Sequence, residues 1–372
     1  MPNDPRLTAL AASLPATVPF VGPETLERQR NRAFTARLGA NESGFGPSPK
    51  AIAAMTAAAA AAWKYPDPEN HALRHALAAH HGVTADQIMI DAGIDTALGT
   101  LVRLFVTAGD SVVTSAGAYP TFNYHVAGFG GVLHAVPYRD DREDPRALID
   151  KARETGAKLI YLANPDNPMG TWHDADTISG MIAAVPETCL LILDEAYVET
   201  APPGTAPRLD PSDTRVIRMR TFSKAYGLAG ARVGYGIGHA DVIGAANRVR
   251  NHFGMARPSQ EAALAALADQ AYLADVIDKT AQCRDRLAEI ARANGLTPLP
   301  SATNFVTMDC GRDAAFAKAV LDGLNALGIF IRMPGVAPLN RCIRVSCGPA
   351  PEIDAFAAAL PQALASAAKG AA

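Results

Sequence analysis

The chain has 372 residues, of which 49% are hydrophobic and 19% are charged, and its formal net charge at pH 7 is −3. This balance argues against a disordered or fibrous protein, and the length allows two domains with buried cores. The small net charge predicts no general attraction to nucleic acid or to an anionic membrane. The five cysteines are never spaced as Cys-x-x-Cys, and no run of about 18 apolar residues occurs. The sequence therefore predicts a protein of the reducing cytoplasm without disulfides, structural zinc or a transmembrane helix.

The predicted elements begin with an N-terminal arm, residues 1–40, which shows no clear periodicity and is expected to pack against a second, smaller domain or a dimer partner. An alanine-rich segment at residues 51–62 predicts a helix. From about residue 86, short apolar runs alternate with stretches long enough for helices. The runs lie at 111–114, 132–136, 159–163, 190–193, 216–220 and 232–237, and the helices at 96–107, 121–128, 146–155 and 175–185. This alternation predicts an α/β fold whose mostly parallel sheet has helices on both faces.

The pattern changes after about residue 260, where alanine- and leucine-rich helical sequence precedes short strand candidates and a final amphipathic stretch. The strand candidates are residues 304–308, 329–332 and 343–346, and the final helix is predicted at 352–365. These elements predict a smaller C-terminal α/β domain. We therefore place the large domain at residues 41–262 and the small domain at residues 263–372.

Polar side chains follow three consecutive predicted strands, at the sheet edge where ligands bind in such folds. They comprise an amide, a carboxylate with a phenol, and an amine with hydroxyls and a guanidinium: Asn167, Asp194, Tyr197, Thr221, Ser223, Lys224 and Arg232. This set suits a phosphorylated pyridine aldehyde that accepts electrons. The amine can form an imine with the aldehyde, and the carboxylate can keep the pyridine nitrogen protonated. The hydroxyls, the cation and the N–H groups of a helix that opens after Gly93 can bind the phosphate.

Each of these residues has an ordinary structural alternative when taken alone. A lysine in a Ser-Lys pair is usually a solvated surface residue, an aspartate after a strand is often a turn residue, and Tyr197 could pack in the core. Because these residues occur together at the ends of successive strands, a functional site is favoured over these separate structural roles. A serine hydrolase is not supported, because Ser223 lacks a glycine-flanked nucleophile elbow. The nine histidines show no metal-binding spacing, so no metal is expected.

Three motifs, in this order and spacing, resemble those of the fold-type I, class I and II aminotransferases, and within them the histidinol-phosphate aminotransferase-like branch. They are Asn-Pro-Asp-Asn-Pro-Met-Gly at 164–170, Asp-Glu-Ala-Tyr at 194–197, and Ser-Lys-Ala-Tyr-Gly-Leu-Ala-Gly at 223–230 followed by Arg232. The resemblance extends from about residue 39 to 348. It implies a large domain with a mostly parallel seven-stranded sheet, a smaller α/β domain, a homodimer with shared active sites and pyridoxal phosphate as cofactor. The activity implied is transfer of an amino group from an amino acid or amine to a 2-oxo acid such as 2-oxoglutarate.

The resemblance also implies roles around the cofactor ring. Lys224 would form the imine and later move the proton between the substrate and the cofactor. Asp194 would pair with the pyridine nitrogen, and Tyr197 and Asn167 would contact the ring hydroxyl. Phe122 would stack on the ring, with Tyr119 and Tyr124 near enough in sequence to compete for this role.

Further residues would hold anions. The cofactor phosphate would be bound by backbone groups of Ile94 and Asp95 and by the side chains of Thr221, Ser223 and Arg232. Tyr65 would reach the phosphate of the neighbouring subunit. Arg344 would clamp the substrate carboxylate in a bidentate fork, with Arg332 as a second anion contact. Asn167 and Phe45 would face the substrate.

Some positions depart from the pattern of the branch. Met169 stands where threonine or serine is common, Phe45 stands where a tyrosine is common, and residues 250–257 replace a proline-aromatic segment. The amino donor is therefore expected to be histidinol phosphate or an aromatic amino acid. Two other functions stay open: a decarboxylase of the phosphothreonine type on the same fold, and a non-catalytic regulator, for which the chain has no room for a DNA-binding module.

Overall fold

The computed structural model describes residues 6–16 and 20–370. Residues 1–5 and 17–19 of the predicted arm and residues 371–372 of the predicted small domain therefore lie outside the described residues. The strands are β1 (Ala36–Arg37), β2 (Ile88–Asp91), β3 (Ser111–Ser115), β4 (Val132–Val136), β5 (Leu159–Ala163), β6 (Leu190–Asp194), β7 (Val216–Thr221), β8 (Gly234–Gly238), β9 (Thr297–Pro298), β10 (Phe305–Asp309), β11 (Ile329–Phe330) and β12 (Cys342–Ser346).

The helices before β8 are α1 (Ala9–Ser13), α2 (Pro23–Arg30), α3 (Pro49–Ala59), α4 (His71–His81), α5 (Ile94–Phe105), α6 (Pro120–Gly128), α7 (Pro145–Thr155) and α8 (Ala175–Ala184). Those after it are α9 (Ala240–Ala246), α10 (Arg257–Ala268), α11 (Gln270–Ala293), α12 (Ala314–Ala326) and α13 (Ala350–Gly370). In the described part of the chain, none of these helices has the length and apolar character needed to cross a membrane.

Several predicted helices begin earlier in the structure than the sequence pattern indicated. Helices α3, α6 and α7 each start on a proline, namely Pro49, Pro120 and Pro145. Proline is favoured in the first turn, because its ring presets the helical backbone angle and the N–H that it lacks would have no partner there. Helix α7 ends at Gly156, which has a φ of 60°, as is common after a helix.

The large domain contains a seven-stranded sheet in the order β2-β8-β7-β6-β5-β3-β4. Strand β8 is antiparallel to both neighbours, and the other strands are parallel. Strands β5 and β6 are completely buried, because apolar cores cover both faces of the sheet. The predicted fold, a mostly parallel seven-stranded sheet flanked by helices, is confirmed.

The small domain is built on the antiparallel sheet β12-β10-β9, with β1 and β11 forming a separate parallel pair. Through β1, the end of the N-terminal arm joins the small-domain core, in which Leu38 is 1% exposed. The predicted boundary at residues 262/263 falls inside α10, whose buried residues pack in the large domain. Helix α11 contributes Leu273 to the large-domain core and Leu287 to the small-domain core. We propose that the two cores meet within this helix.

A buried ion cluster stabilises the sheet beside the carboxyl end of β6. Glu195 accepts hydrogen bonds from Nε of Arg218 and Nε of Arg220, both at 3.0 Å. The side chains of Glu195 and Arg218 are 1% and 5% exposed, so water does not solvate them. Replacing Glu195 by glutamine would remove the carboxylate that contacts both guanidinium groups, with Glu199 still attracting Arg220 electrostatically.

We expect Glu195→Gln to lower the free energy of unfolding by about 3–5 kcal/mol, since a buried ion left without its partner is strongly destabilising. Urea denaturation followed by circular dichroism measures this loss. Glu154→Gln is the matched control: Glu154 is 65% exposed and pairs with Lys151 at 2.6 Å, and a surface pair contributes less than about 1 kcal/mol. Equal losses in the two variants would contradict the prediction.

Candidate active site

A cavity of about 230 Å³ lies where the carboxyl ends of β5, β6 and β7 meet the N-terminus of α5. Parallel strands that run side by side end at the same edge of the sheet, so residues distant in sequence converge there. The cavity is lined by nine of the predicted site residues: Ile94, Asp95, Asn167, Asp194, Tyr197, Thr221, Ser223, Lys224 and Arg232. Side chains that the prediction did not include also line it, among them Glu42 and Tyr161.

The amine of Lys224 lies among groups of both domains. Its Nζ donates a hydrogen bond to the carbonyl oxygen of Asn41 at 3.3 Å and lies 5.5 Å from the ring centre of Tyr197. The Asn41 side chain donates to the Tyr197 hydroxyl at 3.1 Å and accepts from the Ser346 hydroxyl at 3.1 Å. Asn41, which has a left-handed φ of 56°, thus connects the lysine, the phenol and strand β12 of the small domain.

Asp194 is the last residue of β6 and is 5% exposed. Its Oδ2 accepts a hydrogen bond from the Tyr161 hydroxyl at 2.6 Å, and its Oδ1 accepts one from the backbone N–H of Ala196 at 2.9 Å. Burial raises the pKa of Asp194 to about 6, while these two hydrogen bonds act in the opposite direction. A carboxylate held in this way can face a protonated ring nitrogen.

The anion-binding end of the cavity lies at the start of α5, where the first N–H groups of the helix have no partners within it. Here the Ser223 hydroxyl accepts from the Thr221 hydroxyl at 2.9 Å and from Nη1 of Arg232 at 3.3 Å. Arg232 has a left-handed φ of 55°, a strained conformation that often marks a functional residue. A Cβ atom on Gly93 would lie 2.3 Å from Nη2 of Arg232, so only glycine leaves room for this guanidinium. Hydroxyls, a cation and a helix N-terminus together fit a phosphate group.

A second cationic group, Arg344 of β12, contacts the cavity-lining residue Asn167 but does not itself line the cavity. Nη1 of Arg344 donates to Oδ1 of Asn167, and its Nη2 donates to the carbonyl oxygen of Gly39 at 3.5 Å. The buried Nε of Arg344 has no hydrogen-bond partner among the described residues, and burial lowers the pKa of this guanidinium to about 10. Arg344 therefore stays charged at neutral pH and has a donor available for an anionic ligand.

Arg332 pairs with Arg344 through the backbone, but its side chain is directed elsewhere. Its Nη2 donates to the carbonyl oxygen of Val21 at 3.1 Å, and its guanidinium lies 5.9 Å from the ring centre of Phe20. It does not line the cavity. The role of Arg332 as a second anion contact stays a prediction.

The stacking of Phe122 on the cofactor ring stays a prediction, and the position of this side chain does not favour it. Phe122 is completely buried, stacks on Tyr161 with ring centres 4.8 Å apart, and does not line the cavity. Of the three aromatic residues predicted to compete for this role, Tyr119 lines the cavity, and its hydroxyl donates to Asp95 at 2.8 Å. The physical reason is the start of α6 at Pro120, which leaves Tyr119 at the cavity edge and turns Phe122 toward the sheet. Tyr124, the other alternative, is 48% exposed.

Two further predicted residues lie away from this cavity. Phe45 is half-buried and packs against the small-domain core, so it does not face the cavity in this structure. Tyr65 is 78% exposed and packs on the ring of Phe253 at 5.0 Å between centres. A contact of Tyr65 with the phosphate of a second subunit stays a prediction.

The sequence did contain a signal for Tyr161, which the prediction missed. This residue interrupts the otherwise aliphatic strand β5, Leu-Ile-Tyr-Leu-Ala. A buried tyrosine needs a partner for its hydroxyl, and the nearest strand end offered Asp194. Asn41 directly follows the predicted arm, and no sequence pattern indicated its hydrogen bond to Tyr197.

Comparisons with known proteins agree with this site. A family model for aminotransferases of class I and II matches residues 35–360. A histidinol-phosphate aminotransferase 1 from Mesorhizobium japonicum is 36% identical over 338 residues, covering 89% of this chain and 91% of its own. A histidinol-phosphate aminotransferase from Anaeromyxobacter sp. is 35% identical over 97% of this chain and 99% of its own. The crystal structure of the Sinorhizobium meliloti histidinol-phosphate aminotransferase in complex with pyridoxal-5′-phosphate superimposes with a TM-score of 0.94 at 56% identity, covering 98% and 99% of the two chains.

The fold, the site and these matches show that the chain belongs to the class I and II aminotransferases. Within that family, its relatives place it in the histidinol-phosphate aminotransferase branch. The predictions of a transaminase and of pyridoxal phosphate as its cofactor are confirmed. The decarboxylase alternative is not favoured, because these relatives are all named aminotransferases.

Proposed function

We propose that this enzyme transfers the amino group of histidinol phosphate to a 2-oxo acid such as 2-oxoglutarate. The observation that carries the proposal is the presence of two cationic groups in different parts of the site. Arg232 contacts Ser223 at the start of α5, and Arg344 contacts Asn167 from strand β12. One can hold the cofactor phosphate while the other binds the anionic group of the amino donor. The names of the most similar relatives support histidinol phosphate as that donor.

Bound pyridoxal phosphate would supply a ring that accepts electrons from the donor's Cα. The residues of the chain would transfer the proton, stabilise the ring and position the donor. Lys224 would take the proton from the donor's Cα and return it at the cofactor, acting as base and then as acid. Asp194 would hold the ring nitrogen protonated. Tyr197 and Asn167 would donate hydrogen bonds to the ring hydroxyl. Arg344 would fix the donor so that its Cα proton lies within reach of the lysine.

The donor preference can be tested with the holoenzyme. We mix it with histidinol phosphate, histidine, phenylalanine or tyrosine in the absence of a 2-oxo acid, and follow the absorbance of the cofactor in single turnovers. Histidinol phosphate should react with a kcat/KM at least about 100-fold above the others, since these amino acids carry a smaller carboxylate in place of the phosphate ester and would leave polar groups of a phosphate-binding site unpaired. Faster reaction of phenylalanine or tyrosine would assign an aromatic amino acid as donor. Release of carbon dioxide without formation of the amino form of the cofactor would identify a decarboxylase.

We further propose a homodimer with shared active sites. Support comes from exposed apolar side chains near Tyr65: Trp63 is 81% exposed, Phe253 is 52% and Ile52 is 51%. A soluble monomer rarely leaves large neighbouring apolar groups in water, so a second copy is the natural partner.

The cytoplasm is the proposed location. All five cysteines are buried free thiols, as expected in a reducing compartment.

A further inference from the structure

Tyr161 occupies an unusual position in the sheet. It lies in the middle of the buried parallel strand β5, between Ile160 and Leu162, and is completely buried. Its ring stacks on Phe122 with an angle of 17° between the planes. A phenylalanine would make the same stacking contact and would avoid the cost of burying a hydroxyl. Packing alone therefore does not explain the hydroxyl group.

The hydroxyl has one specific partner. It donates to Oδ2 of Asp194 at 2.6 Å, a short distance typical of a hydrogen bond to an ionised acceptor. The other oxygen of Asp194 accepts from the N–H of Ala196. Two donors on different elements, β5 and the loop after β6, therefore fix the plane of the carboxylate. Without the phenol, only the backbone donor would orient it.

The charges around Asp194 make this donor important. Burial raises the pKa of Asp194 and so favours the neutral acid, and the carboxylate of Asp95 acts in the same direction. The Lys224 amine and the Tyr161 hydroxyl favour the ionised form. Of the two, only the hydroxyl makes a direct contact with the carboxylate, because the lysine donates to Asn41 instead.

We infer that Tyr161 is a positioning residue, whose hydroxyl keeps the Asp194 carboxylate ionised and oriented toward the ring nitrogen of the bound cofactor. This inference rests on the proposed cofactor chemistry. An ionised Asp194 can hold a protonated ring nitrogen, whereas the neutral acid cannot stabilise that positive charge. Tyr161 would thus act on the reaction through Asp194 without touching the substrate.

The test compares Tyr161→Phe with Tyr235→Phe in the holoenzyme. Tyr235 is the matched control: it is also a fully buried tyrosine of the same sheet, 1% exposed, and its hydroxyl pairs with Nε2 of His81 at 3.0 Å, outside the cavity. The measurements are kcat and KM for the amino donor across pH, the dissociation constant of pyridoxal phosphate, and the pH titration of its absorption spectrum.

We expect Tyr161→Phe to lower kcat about 10- to 100-fold with little change in KM. This is the usual effect of losing a hydrogen-bond partner that orients a functional residue. The acid limb of the kcat profile should move to higher pH, because Asp194 without its phenol donor takes up a proton more readily. The spectral titration should move in the same direction, and pyridoxal phosphate should bind more weakly. Tyr235→Phe should leave the profile and the spectrum unchanged. In an Asp194→Asn background, Tyr161→Phe should have little further effect on kcat.

Three outcomes would overturn the inference. The first is a Tyr161→Phe enzyme with the wild-type acid limb and spectrum, whatever its activity. The second is an equal loss in Tyr161→Phe and Tyr235→Phe, which would indicate a general packing defect. The third is failure of Tyr161→Phe to fold, which would assign the hydroxyl to folding. A failure of the proposed function is distinguishable, because it would appear in the wild-type enzyme as absence of cofactor binding or of amino transfer.

Discussion

Lys224→Ala is expected to lower kcat by at least about 10⁴-fold, the upper range for loss of a positioned proton-transfer group. The Lys224 amine is held by the Asn41 carbonyl at 3.3 Å, and it is the amine that lines the cavity between the anion-binding end and Asp194. Among the described residues that line the cavity, no other side chain carries an amine that could form an imine with an aldehyde and then return a proton. The variant should still bind pyridoxal phosphate noncovalently, because Ser223 and Arg232 stay in place.

Steady-state kinetics and dialysis of the cofactor measure both effects. Lys318→Ala is the control, since Lys318 is 59% exposed on α12 and pairs with the exposed Asp322 of the same helix. Borohydride treatment of the wild-type holoenzyme followed by peptide mapping should place the cofactor on residue 224. Turnover by Lys224→Ala within about tenfold of the wild type would refute the assignment of this lysine.

Asp194→Asn is expected to lower kcat about 10²- to 10³-fold, the usual loss when one preorganised electrostatic group is removed from a site. Asparagine has nearly the same size and can still accept the Tyr161 hydrogen bond, so the packing around this 5% exposed position should be kept. What is lost is the negative charge that would hold the ring nitrogen protonated. The variant should bind the cofactor more weakly and show an altered absorption spectrum.

The pH profile gives a second measurement for this variant. Burial places the pKa of Asp194 at about 6, so a limb of the wild-type kcat profile that reflects this carboxylate should lie on the acid side of neutrality. The amide that replaces the carboxylate cannot titrate, and that limb should disappear in the variant. Asp322→Asn, which changes an exposed aspartate of α12, serves as the control. A kcat for Asp194→Asn within about threefold of the wild type would show that this carboxylate does not support the reaction.

Many of the residues that line the cavity could be predicted from the sequence, because they follow directly after buried parallel strands. Asp194 ends β6 and Thr221 ends β7, and the register pairs these two strands side by side. Because each side chain stands at the carboxyl end of its own strand, these side chains meet at the same edge of the sheet. The apolar runs that form these strands are short and flanked by turn residues, so their bounds in the structure differ from the predicted ones by only a residue or so.

Contacts between segments far apart in sequence could not be predicted in the same way. Asn41 lies 183 positions before Lys224 and 305 before Ser346, yet it contacts both. The choice between Tyr119 and Phe122 depended on where α6 begins and on which of its faces packs on the sheet. The division between the two cores within α11 likewise depends on what surrounds each half of one continuous helix.

By itself, the sequence determined the strand and helix order, the α/β class and the chemical groups at three strand ends, because these depend on local periodicity and on neighbours along the chain. Only the tertiary structure decided that Tyr119 and not Phe122 lines the cavity, that Tyr161 reaches Asp194, and that the side chain of Arg344 contacts Asn167 while that of Arg332 contacts Val21. These depend on side-chain directions and on long-range packing, in which a residue's partner is set by the folded surroundings and not by its distance in the chain.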